Sequence, residues 1–506
     1  MKKILSAILL PLAAACSADF TLTPAPGAQE ANIDTRITIT FKQAPQKPES
    51  GFVRIFDAKT GEAVDSLDLS IPAGPLEPRT YSPDCDYTKV PYDYSPRTFI
   101  PTNRNTVPGT PSGTAEPNPP CYQLNIIGGF TDAFHFQPVL LRGNKAIICL
   151  HNNVLEYGHS YRVEIDGSVF GRNIPAWEFS TKAQEPEDVH NLTVDCRGAG
   201  DFDTVQGALD AIKDADSVKT TVTVMPGDYE EIVYARCKRN LEIRGLQGRR
   251  DDTRVHYANN EVFNPHPLSV KNNEKEGAFP YRRAAFALDH CNDIVIRDIT
   301  IATDSLGQAE GLLLNSERAA LYNVHIIGDG DALQANGSVY LEECEIDGGW
   351  DAILGRGSVY LYRCALRNWG GPFTWVRNFA PAHGDVFVEC TFESKGETPI
   401  DYGRSRSNHG SSYPDAEVVV IDCKVKNLLP EGWSALDEPT QKMLEFNTRD
   451  LDTGEPVDVS LRHPISRQLD PVADSALIDF YRHPENVLGG LPKSPENEST
   501  RDAGLL

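Results

Sequence analysis

The chain has 506 residues, of which 40% are apolar, 24% charged and 8% aromatic. That composition fits a folded chain of two or three domains and excludes a low-complexity one. With 48 basic against 72 acidic residues the formal net charge is −24, which excludes a general nucleic-acid binder and a polybasic membrane binder.

Lys2 and Lys3 precede an apolar run over residues 4–12, followed by Ala13-Ala14-Ala15-Cys16. A charged start, a short apolar core and small residues before a cleavage point form an export signal, and the run is too short to span a bilayer. Cys16 after three alanines is similar to a bacterial lipobox and predicts a lipid anchor there. Leu12 stands one residue further from the cysteine than that pattern expects, so simple cleavage into the periplasm or medium is the alternative. The expected location is the bacterial cell envelope or the medium, and a monomer is expected.

Residues 19–181 read as one β-sandwich. Residues 35–41 (TRITITF) and 52–56 (FVRIF) alternate at period two, with Gly61 in a turn after them. A Pro-rich stretch over 71–120 reads as an irregular insertion, and Cys85 and Cys121, which flank a Pro/Asn/Thr-rich loop there, are candidates for a disulfide. Strands resume at 146–150 and 161–165, and residues 177–181 (WEFST) close the unit. A Tyr-x-Val-x-Ile strand followed by Trp-x-Phe-x-Thr resembles bacterial Ig-like domains and implies a spacer or stalk. Residues 182–188 are the expected linker.

From residue 189 short β phrases recur every 20 to 33 residues, at 293–297, 320–324 and in four phrases ending in Cys344, Cys364, Cys390 and Cys423. Such repeats, each a strand plus a turn, mark a solenoid, and a right-handed parallel β-helix fits them best. Cysteines recurring at one point of a strand are expected to be small buried apolar groups. No Cys-x-x-Cys or His-Glu-x-x-His is present, so a zinc site has no support. One amphipathic helix is predicted over 204–212, with Val205, Ala208, Leu209 and Ile212 on one face, suited to cap the open first rung. The fold class is therefore all-β: an Ig-like β-sandwich, then a β-helix over 189–492, then a disordered tail over 493–506.

Asp331 and Asp351 are 20 residues apart, about one short coil, so neighbouring rungs would hold them at roughly the 5 Å strand spacing. Two carboxylates that close divide into one that keeps its proton and one that does not, and an arginine beside one decides which. Ester hydrolysis needs that division between acid and nucleophile. The alternative is a pair of turn aspartates.

Several segments then occur in a telling order: residues 195–211 (DCRGAGDFDTVQGALDA), Gly227, Tyr229 and Glu231 of 226–231, Gln308-Ala309-Glu310, Gly330-Asp331-Ala332-Leu333, residues 351–355 (DAILG) and Tyr402-Gly403-Arg404. Over roughly 190 to 490 the chain resembles pectin methylesterases, and its tail resembles the end of bacterial members. The resemblance implies the same right-handed β-helix, a pectin or homogalacturonan substrate, and no cofactor or metal. It implies Asp351 as nucleophile on the galacturonate C6 methyl ester and Asp331 as the acid/base that protonates methanol and then activates water. Arg404 would orient and stabilise the nucleophile, and Gln308 would stabilise the oxyanion.

The sequence departs from that pattern at Gly330, where the family has a second oxyanion glutamine. Losing one such donor costs about 10²- to 10³-fold in other hydrolases. Gln334 and the Gly330 backbone N–H are the candidate replacements. Trp350, Phe373, Trp375 and Tyr402 are candidates to stack on sugar rings, and Arg377 and Arg406 to pair with free carboxylates. Arg356, next to the Asp351 motif, is a candidate contact or a turn cap. Two other readings stay open: a catalytically impaired pectin-binding surface protein, and a β-helix polygalacturonase using Asp329, Asp331 and His383. Residues 351–406 hold seven Lys/Arg and six Asp/Glu, so the acidity lies elsewhere and methylated pectin is expected to bind better than the acidic product.

Overall fold

The structure, a computed structural model, describes residues 19–76, 122–125, 127–128, 134–265, 282–408 and 411–490. The export signal with Cys16, most of the Pro-rich insertion with Cys85 and Cys121, and the tail beyond 490 lie outside the described residues.

The N-terminal unit is built from two four-stranded antiparallel sheets. One orders its strands Phe20–Thr23, Ile37–Phe41, Lys145–Ile148 and Val139–Arg142; the other Trp177–Ser180, Ser160–Ile165, Phe52–Asp57 and Ala63–Asp68. The period-two alternation explains the packing: Ile37, Ile39, Val53, Ile55, Tyr161, Val163, Trp177 and Phe179 all point into one shared core.

The described strands from Asn191 to Gln468 wind into a parallel β-helix. Seventeen strands form one continuous parallel sheet and nine form a second, and one apolar core runs inside both. Cys344, Cys364, Cys390 and Cys423 are buried in that core without disulfides, each Sγ lying 3.3–3.6 Å from carbonyls of its own and the preceding rung.

The open first rung is closed as its sequence requires. Helix Val205–Ala211 buries Val205, Ala208 and Leu209, and the Thr204 side chain caps it by accepting from the Gly207 N–H. The sandwich docks on this cap: Asp34 accepts from the Asp203 and Thr204 N–H groups and the Thr204 hydroxyl, and Asn153 donates to Asp210. At the other end helices Ser475–Arg482 and Pro484–Leu488 lay Ile478, Tyr481, Val487 and Leu488 over an outer apolar strip that includes Tyr340, Tyr360, Val386 and Val419.

Candidate active site

Three phrases of one kind, acid–small–aliphatic, occupy consecutive rungs: Glu310-Gly311-Leu312, Asp331-Ala332-Leu333 and Asp351-Ala352-Ile353. Leu312, Leu333 and Ile353 are paired in parallel register and lie in the core. The acids two residues earlier therefore fall in one column across the rungs. Pro372 and Asp401, themselves a register pair, continue that column. Asp331 (φ 64°) and Asp351 (φ 57°) both adopt the left-handed region, which aspartate tolerates better than most residues. Each thereby turns the chain at a corner where the next residue, Ala332 or Ala352, drops into the core.

Asp351 has an arginine to itself. Arg404 Nε donates to Oδ1 at 2.8 Å and Nη2 to Oδ2, a bidentate clamp. The guanidinium lies 4.2 Å from the Trp375 ring, and that of buried Arg377 lies 4.7 Å from the same ring. Strand Gly371–Val376 pairs with Ile400–Ser405 and places Trp375 beside Arg404. The clamp is thus held by aromatic stacking as well as by its ion pair.

Asp331 shares its arginine. Arg283, almost fully buried, donates through Nη2 to Asp331 at 2.7 Å and through Nε to both oxygens of Glu310 at 2.7 and 2.8 Å. Its Nη1 reaches Glu261 at 2.6 Å and the Gln308 side-chain oxygen at 2.7 Å. Burial pushes the Asp331 carboxyl up to about 6; Arg283 and Arg377 oppose this, while Asp351 and Glu261 add to it. Burial likewise pushes Glu310 up to about 7, against the pull of Arg283. Asp401, further along the column, rises to about 7 for the same reason. Among the described residues no group of three His, Cys, Asp or Glu side chains is placed to hold a metal ion.

Residues 191–385 match the family model Pectinesterase. Over 276 residues the chain is 25% identical to Pectinesterase QRT1 of Arabidopsis thaliana, covering 51% of this chain and 69% of that protein. It is 24% identical over 163 residues to Pectinesterase 31 of the same plant, covering 30% of this chain and 47% of that one. Among solved structures it is similar to the pectin methylesterase from Aspergillus niger, with a TM-score of 0.47 at 18% identity, covering 60% of this chain and 96% of that chain.

Within the segment that matches this family model and the rungs that follow it, the remaining predicted residues separate. Gln308 stands exposed at the Arg283 end. Gly330, in bridge register with Gln308, uses its N–H on the Gly307 carbonyl at 2.8 Å, so that N–H is not a free oxyanion donor. Gln334 is buried three residues past Asp331, in register with Leu313 and Leu354, in the column that runs on to Trp375 and Arg404. Tyr402 is not a sugar platform. Its ring packs on Phe392 and Trp433 in the core, and its hydroxyl donates to Glu445 at 3.1 Å. Phe373 is equally interior. Arg377 is buried and Arg406 exposed, and Arg356 is half-buried with its N–H on the Asn336 side chain.

Trp350 is exposed and rests over Gly371, where a Cβ would lie 2.9 Å from its ring. Asp329 accepts from the Gly307 N–H as a turn residue, and His383 bonds Glu417 beside Phe480 and Tyr481 of the C-terminal helix. The acid–histidine constellation of the polygalacturonase reading is therefore not assembled. The sequence reading missed Arg283, Glu310, Glu261 and Asp401; the thrice-repeated acid–small–aliphatic phrase is the signal that could have found Glu310.

Proposed function

We infer that this chain hydrolyses methyl esters of galacturonate in pectin, releasing methanol and leaving pectate. The family match over residues 191–385 supports a carboxylic ester hydrolase. The observation that carries the finer reading is an aspartate clamped at both oxygens by Arg404, one rung from a buried aspartate whose carboxyl is raised toward neutrality. Asp351 attacks the ester carbonyl carbon, and the bond to methoxide breaks as protonated Asp331 passes its proton to the departing oxygen. Water then attacks the acyl-enzyme and returns a proton to Asp331, so the acid/base ends as it began. Gln308 donates to the oxyanion, and half-buried Trp375 and exposed Arg406 contact the chain of sugars. The bacterial lineage, the Ig-like nature of the sandwich, lipid attachment through Cys16 and a monomeric, envelope-bound state belong to the same proposal and rest on the sequence features given above.

The test is methanol release from methylated pectin with no new reducing ends and no unsaturated products. Asp351→Ala is expected to abolish release while the protein stays folded. Methanol release at an unchanged rate in that variant would remove Asp351 as nucleophile. Binding of pectin without any methanol from the folded wild type would overturn the esterase reading.

A further inference from the structure

We propose that Arg283 is a positioning residue for this site: it fixes Gln308 with its amide nitrogen outward, and it makes Asp331 and Glu310 share one cation, so that Glu310 governs when Asp331 carries a proton. The proposal rests on the ester-hydrolysis reading for what Gln308 and Asp331 do, and on the geometry alone for how they are held.

The amide argument is one of donors and acceptors. A glutamine side chain is ambiguous about which end faces where, but a guanidinium only donates. Arg283 Nη1 lies 2.7 Å from the Gln308 side chain, so the oxygen must face the arginine and the nitrogen is turned away from it. With Gly330 supplying neither a side chain nor a free N–H, the orientation of the Gln308 amide decides whether it donates to an oxyanion or repels it.

The charge argument is one of stoichiometry. Asp331 is faced by Arg283 and Arg377, by Glu310 on the preceding rung, by Asp351 on the following rung, and by Glu261. Arg283 touches three of these carboxylates, Glu261, Glu310 and Asp331. Even with Arg377 facing Asp331, two cations do not neutralise these three carboxylates, so a proton shared between Glu310 and Asp331 relieves the excess. That proton is the one the acid step draws on.

The experiment reads the Asp331 carboxyl directly, by infrared titration of protein carrying 13C-labelled aspartate, with Asp331→Asn identifying its band. Glu310→Gln removes a competing carboxylate at constant shape, and the Asp331 midpoint is expected to fall by about one pH unit or more. Arg283→Gln is expected to move it up. The same two variants split in turnover: Arg283→Gln lowers kcat by about 10- to 100-fold with KM within a few-fold, because Gln308 is released, whereas Glu310→Gln only shifts the pH profile. If Arg283→Gln does not fold, Arg283→Lys takes its place: charge is kept and the fork lost, so kcat falls while the midpoint stays near the wild-type value.

A midpoint unmoved in Glu310→Gln, or moved upward, overturns the charge sharing. An unchanged kcat in Arg283→Gln or Arg283→Lys overturns the role in fixing Gln308. Because the titration needs no turnover, the expected shifts in a protein that releases no methanol would sink the esterase reading alone. Absent shifts in an active enzyme would sink this proposal alone.

Discussion

Asp331 and Asp351 are the same residue type, on adjacent rungs, in the same left-handed backbone conformation, each beside an arginine. They differ in how many carboxylates claim that arginine. Arg404 serves Asp351 with both arms of its fork and is backed by Trp375, whereas Arg283 divides itself among Asp331, Glu310, Glu261 and the Gln308 amide. A dedicated cation fixes a carboxylate in place, which suits a nucleophile. A shared one leaves a carboxyl poised between two protonation states, which suits an acid that must become a base. On the proposed mechanism, role follows the cation-to-carboxylate ratio more than residue type.

The most damaging way to break this comparison is to blunt each arginine in the same manner. Arg404→Lys replaces a bidentate, ring-stacked clamp with a point charge, and kcat is expected to fall about 10²-fold or more through misplacement of Asp351. The same change at Arg283 is expected to cost at least tenfold less, because its charge remains for the carboxylates to share. Steady-state kinetics of the two variants on methylated pectin check this, and a reversed ranking would refute the division of labour.

The second test uses pH and needs no substrate. Buried carboxyls raised by desolvation include Asp331 and Asp214 (to about 6), and Glu310, Asp34, Asp385 and Asp401 (to about 7). For such groups the folded state holds protons that the unfolded chain has released, so their contribution is greatest below the unfolded pKa near 4 and is lost as pH rises through 6 to 7. Groups held low, such as Asp57 at about 2 through its bond to His159, act only at the acid end, where their stabilisation is lost as pH falls. Tm is therefore expected to be lower at pH 8 than at pH 5, by about 5 °C or more, with a shallower slope in Glu310→Gln. A Tm that rises between pH 5 and 8 would show that these carboxyls do not carry their protons into the fold.

How much of this was legible beforehand depended on whether local periodicity held. The cap helix and the four cysteine-ended strands obey simple rules, and the structure reproduces both. The 20-residue spacing placed Asp331 and Asp351 on neighbouring rungs, because that coil is short and regular. Tyr402 was misread because period two puts it on the same face as Arg404. The chain breaks period at the corner after the acid column, where Ala332, Ala352, Phe373 and Tyr402 all turn inward. Arg283 was invisible for another reason: it lies rungs earlier than the residues it serves, and rungs of unequal length hide which positions share a column.

The smallest expected effect concerns the rung between the two ends. Trp350 precedes Asp351, the proposed nucleophile, and its ring lies across Gly371 with more than half of its surface exposed. Its backbone carbonyl accepts from the Asp331 N–H at 3.4 Å, so the residue touches both halves of the site while its side chain enters neither ion pair. A ring held flat by a glycine neighbour offers a face for a sugar, and stacking of this kind contributes about 0.5–1.5 kcal/mol. Trp350→Ala is therefore expected to raise KM for methylated pectin about 2- to 10-fold and to leave kcat near the wild-type value. Trp350→Phe should recover most of the loss. A fall in kcat at unchanged KM would instead mean that Trp350 holds the Asp331–Asp351 corner in shape, and the two ends would then be mechanically coupled rather than separately tuned.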